Sequence, residues 1–168
     1  MSGPNGFEIS LWHDYFLATG GIGAALAGLV FVAFSINLRS ILMTPGVTGR
    51  GAEALVLLLG LPLVAIVALW PSDAHGRIGI AIAIVGVALW LEVTGIAVVA
   101  TRGPRSVTGP QLGLRIALGQ LGTVPTILAG LSYATEVGFG LDFLLISALF
   151  GVVGGLIGAW VLLVEILR

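Results

Sequence analysis

Glu92 and Arg115 are ionisable side chains set inside long apolar runs, Glu92 in IAIAIVGVALWLEVTGIAVVA (80–100) and Arg115 in QLGLRIALGQLGTVPTILAGL (111–131). A charge in hydrocarbon costs at least a few kcal/mol, so each needs a partner or a task. A carboxylate there takes up protons or binds cations, and a guanidinium clamps a carboxylate or another anion. Glu92 lies eight residues before Ala100, about 12 Å along a helix, and Arg115 lies about 8 Å past Pro110. That spacing predicts an ion pair between adjacent helices in one half of a membrane. Two alternatives stay open: the pair serves only helix register, or Arg115 snorkels to the headgroups beside a neutral Glu92.

Other polar groups fall near the same depth. Asn37, Glu53 and Glu165 are placed to join a polar membrane layer with Glu92 and Arg115, which would suit proton or cation handling. Glu53 and Glu165 are equally placed as interfacial charges that reach water unaided. Gln120 is five residues from Arg115, about 140° around a helix, so it needs a different partner, a backbone carbonyl or a second subunit. His13 with Asp14, and His75 with Asp73, offer weak divalent-metal candidates. The bland alternative is two histidines in short solvated loops, and a further one is that His13 senses outside pH. No metal or other cofactor is expected.

The elements that must position these groups follow from composition. The chain is 58% hydrophobic and 9% charged, lacks lysine and has seven arginines. A soluble domain of 168 residues could not bury that much apolar surface, whereas a bilayer solvates it. Five runs are long enough to span about 30 Å of hydrocarbon, at about 15–38, 52–70, 78–100, 111–134 and 141–167. The expected architecture is one all-α transmembrane domain over residues 1–168. The second run holds Pro62 and could be shallow or kinked.

Arginine placement predicts the orientation. Arg39, Arg50, Arg102, Arg105 and Arg168 fall on one side of a five-span chain and Arg77 on the other, which puts the N-terminus outside and the C-terminus in the cytoplasm. The outer side then collects Glu8, Asp14, Asp73, Glu136 and Asp142, an excess that is either a by-product of topology or a mouth that concentrates cations. With no basic residue and two carboxylates before it, the first span is expected to persist as an inserted helix rather than be cleaved. Trp12, Tyr15 and Trp70 sit at the outer boundary, as an interfacial aromatic belt would.

Small residues mark the contact faces. Gly21, Ala24 and Gly28 in the first span, and Gly151, Gly154 and Gly158 in the fifth, recur at helical spacing. Helices in lipid associate largely through such close approaches, within a monomer or between copies. In the fourth span Arg115, Gly119, Gly122, Thr126, Ala129 and Tyr133 share one polar or small face, which should point into the bundle or a wet space beside Pro125.

Enzyme chemistry is not expected. No histidine falls inside a span, no cysteine is present, and no HExxH or phosphate-binding glycine loop occurs. Nucleic-acid binding has no basic surface to rest on.

The stretch LWHDYFLATGGIGAALAGLVFVAFSINLRSIL, followed by GRGAEALVLLLG, resembles the opening of uncharacterised small multi-pass membrane proteins of high-GC bacteria. The resemblance implies a bacterial cytoplasmic membrane protein and supplies no functional residues. Two functions remain in view: a small homo-oligomeric channel or carrier with an inner polar layer, or a non-transporting accessory or structural subunit of a larger membrane complex.

Overall fold

The computed structural model describes residues 5–43, 47–71, 75–102 and 110–166. Asp73, Arg105 and Arg168 lie outside the described residues, as do the side chains of Arg102 and Glu165. Five long helices follow the five apolar runs: α1 (His13–Met43), α2 (Val47–Ala68), α3 (His75–Arg102), α4 (Pro110–Thr135) and α5 (Phe143–Ile166). Short 3-10 turns at Asn5–Phe7, Ile9–Trp12 and Gly140–Asp142 flank α1 and α5. Among the described residues, each long helix has the length and apolar content to cross a membrane. Pro62 and Pro125 lie within α2 and α4, and both helices run through them.

The bundle is arranged around α2, which touches all four other long helices. Half of its apolar window is buried, against 22–33% for the rest. Large apolar side chains such as Leu29, Ile36, Ile66, Val99 and Leu149 cover the outside. That surface suits contact with lipid tails, which solvate leucine as well as a protein core does.

Glycine decides where backbones meet. A Cβ on Gly79 of α3 would lie 2.6 Å from the carbonyl oxygen of Gly130 on α4, and one on Gly130 would lie 2.8 Å from Cα of Ala83. At Gly86 it would meet the backbone nitrogen of Ile127 at 2.9 Å. These neighbours are backbone, so no side-chain rotation relieves the clash. On α5, Cβ atoms at Gly154 and Gly158 would each sit 3.1 Å from α2, against Leu57 and Ala54, and Gly151 faces the Leu57 carbonyl.

On α1 the face that packs within the chain is not that of Gly21, Ala24 and Gly28. Gly21 and Gly28 have nothing of the other helices within 4 Å, and Ala24 is exposed. Gly20 and Gly23 instead meet Ala65, Leu61 and Pro62 of α2, followed by buried Ala27 and Val30. Both series have helical spacing, and one residue turns the helix by about 100°; α2 packs on the second series.

The end of the bundle near Trp12 is filled by aromatic rings. Trp12, Phe16, Ile78, Ile82, Tyr133, Leu141 and Leu144 form one buried cluster. Trp12 meets Tyr15 edge-on at 5.2 Å, and Phe7 stacks on Tyr133 at 6.4 Å. Trp12 is thus an interior residue, whereas Trp70 is exposed, with the Arg77 guanidinium over its ring at 5.2 Å. At this end α4 stops in a left-handed turn at Glu136 (φ 55°), where the Val137 amide donates to the Ser132 carbonyl at 3.2 Å. The Gly140 amide donates to Ser132 Oγ at 2.8 Å. Orphaned carbonyls at the helix end are so satisfied.

Replacing Gly130 or Gly79 by leucine is expected to destabilise the bundle by about 3 kcal/mol or more through overpacking. Gly113→Leu, which meets no other helix, should melt within a few degrees of wild type. Thermal unfolding of purified protein, followed by loss of the monodisperse peak, checks the contrast.

Candidate functional site at the arginine end

Arg115 pairs with Glu53, not with Glu92. Its Nε donates to Glu53 Oε2, and the two side chains are 14% and 8% exposed. The arrangement follows from the buried faces of the helices. Residues 119, 122, 126, 129 and 133 of α4 are buried in series, and Arg115 begins that row. On α2, Glu53 shares its face with buried Leu57 one turn on. Gly119 makes the room: a Cβ there would come within 3.5 Å of Glu53 Oε1 and 2.6 Å of Val93 on α3. The residue that α3 turns toward this site is therefore Val93, 1% exposed, and the adjacent Glu92 is rotated outward and exposed. Depth along a helix, read from residue spacing, carries no information on that rotation.

Gln120 joins neither charge. Its Oε1 accepts from Trp90 Nε1 at 2.7 Å, and its Nε2 donates to Thr94 Oγ1 at 3.2 Å, both on α3. The partner is thus an intramolecular side-chain pair rather than a carbonyl or a second subunit. Trp90 and Thr94 lie one turn apart on one helix face, a spacing that could have signalled a paired donor and acceptor. Asn37 donates to the Ala33 carbonyl of its own helix at 2.9 Å.

A cavity of about 560 Å³ adjoins the ion pair between α2, α4 and α5. Arg50, Glu53 and Arg115 form its polar edge, and Leu118, Ile157 and Val161 are among its apolar walls. Its floor lies where a Cβ on Gly122 would touch Leu57 at 3.0 Å and Gly151 at 3.4 Å. Beyond the floor is a gap of about 20 Å³ bordered by Tyr15, Thr19, Thr123, Thr126 and Ser147, about enough for one water. The hydroxyls there have defined partners. Ser147 Oγ donates to the Gly122 carbonyl at 2.6 Å, so its contact with Thr126 Oγ1, also 2.6 Å, is one in which Thr126 donates. Thr123 donates to the Gly119 carbonyl at 2.8 Å, and Tyr15 to that of Leu144 at 2.8 Å. Tyr133 Oη, further along α4, is buried with no hydrogen-bond partner among the described residues.

The histidines are occupied by local pairs. His75 Nδ1 lies 3.1 Å from Glu136 Oε1, with its ring 5.0 Å from that of Tyr133. His13 Nδ1 lies 3.3 Å from Asp14 Oδ1, and both are exposed. Among the described residues no group of three or more His, Asp or Glu could hold a metal ion.

The chemistry available is therefore that of a buried ion pair at the edge of an apolar cavity. Removing one partner strands the other charge, so Glu53→Gln or Arg115→Gln should each cost about 3–5 kcal/mol. The double variant should lose much less than the sum, and Glu92→Gln should not lower the unfolding midpoint. Chemical unfolding in detergent reads all four.

No family model matches the chain, and no curated protein or solved structure matches it either.

Proposed function

We propose that the chain is a small homo-oligomeric membrane protein of carrier type, with a cavity facing the cytoplasm and closed toward the outside. The observation that carries this reading is the one-sided cavity whose edge is the Glu53–Arg115 pair. An open channel would need a continuous bore, whereas the close contact at Leu57, Gly122 and Gly151 and the aromatic cluster beyond it stand across the path. A carrier opens and closes such barriers in turn, and ionisable groups in the membrane interior mark its substrate path. The arginine distribution favours the cytoplasmic side for the cavity, and the resemblance of the first span favours a bacterial cytoplasmic membrane. Exposed Gly21, Ala24 and Gly28 supply a face on which a second copy would pack closely.

One feature favours the second reading, an accessory subunit of a larger membrane complex. Glu92 is exposed on α3, ten residues from the helix end and so about 15 Å deep. A carboxylate facing hydrocarbon calls for a covering surface with a donor or a cation.

Flux into liposomes decides between them. Purified protein is expected to move protons, a monovalent cation or an organic anion faster than protein-free vesicles do. The Glu53→Gln/Arg115→Gln double variant should cut that rate at least tenfold while keeping the fold. No flux of any of the three would sink the carrier reading. A membrane protein that copurifies with wild type but not with Glu92→Leu would then support the accessory role.

A further inference from the structure

The cavity at the arginine end has an amphiphilic lining that neither an ion path nor a packing gap requires. Among the described residues its charged lining is Arg50, Glu53 and Arg115, and most of the remaining wall is apolar. Leu114, Trp160 and Val164 line it and are also 58%, 68% and 41% exposed on the outer surface of α4 and α5. The cavity therefore has a rim on the side where lipid chains would run. Its volume of about 560 Å³ falls within the range of about 300–1,000 Å³ common to ligand pockets. Arg115 engages Glu53 through Nε, while its Nη2 is buried with no acceptor among the described residues. A buried donor without an acceptor is costly, and an anionic oxygen is the strongest partner a guanidinium takes.

We infer that this cavity binds an anionic amphiphile, whose acidic oxygen accepts from the Arg115 guanidinium and whose hydrocarbon chain lies along Leu118, Ile157 and Val161. Entry is sideways, past Trp160, from the leaflet on the arginine side. The head could be the carboxylate of a free fatty acid or the phosphate of a phospholipid; the chemistry at Arg115 is the same. The inference rests on the carrier proposal in that it names that carrier's substrate class, but binding is measured without transport.

Delipidated protein in detergent is titrated with a brominated fatty acid, a brominated phosphatidylglycerol and a brominated fatty alcohol of equal chain length. Quenching of Trp160 is taken as the difference between wild type and Trp160→Phe. Saturable quenching by one or both acidic ligands, at least tenfold tighter than by the alcohol, is expected; which acid saturates identifies the source of the head. Arg115→Lys, which keeps the charge and loses the second nitrogen, should weaken binding about tenfold, a change of about 1.4 kcal/mol. Val161→Phe should weaken it similarly by filling the wall, and it serves where the lysine variant does not fold. Absence of a Trp160 component, equal binding of the alcohol, or unaltered affinity in a folded Arg115→Lys or Val161→Phe variant would overturn the site. Binding without liposome flux keeps the site and removes the carrier; flux without binding does the reverse.

Discussion

A charge held away from water must find an opposite charge at a fixed place, and in this bundle that constraint ties α2 to α4. The Glu53–Arg115 pair leaves little freedom for either helix to rotate or slide, because stranding one partner costs several kcal/mol. The neighbouring residues accommodate it. Gly119 has no side chain where the carboxylate lies, and Val93 closes the α3 side with an apolar group. The same pair forms the edge of the cavity, so what holds two helices together also supplies the cavity's polar edge.

The remaining contacts are short-range and set by glycine. Along α3 and α4 the backbones touch at Gly79, Ala83 and Gly86 against Ile127, Gly130 and Ala134. That contact fixes the rotation of α3, turning Val93 inward and Glu92 outward. Between α4 and α5, Gly122 and Gly151 press together below the cavity, and the hydroxyls of Thr126 and Ser147 join the helices just beyond. A bond between hydroxyls adds order without adding a charge that needs solvation. The aromatic cluster does the corresponding work at the opposite end, where Tyr15 reaches across to the Leu144 carbonyl.

Several site residues were legible from type and spacing. The polar and small face of α4 from Arg115 to Tyr133 is visible as a 3–4 residue repeat, and the folded chain buries it from Gly119 onward. Glu53 is harder to recognise because a glutamate near the end of an apolar run ordinarily reaches water; here it is buried because α4 and α5 close over it. The bonds from Trp90 and Thr94 to Gln120 escape a reading that treats tryptophan as an apolar surface residue.

Hydropathy and length alone determined that there are five membrane-length helices and approximately where each begins and ends, because a run of about 20 apolar residues has few other ways to satisfy its backbone in an apolar medium. Sequence spacing also determined which residues share a helix face. It could not determine which of two similar faces is used, since Gly20 and Gly23 have the same periodicity as Gly21, Ala24 and Gly28. Nor could it choose between Glu53 and Glu92 as the partner of Arg115. Those choices belong to the tertiary structure, because a helix rotates by about 100° per residue and only contact with a neighbouring helix fixes its rotation.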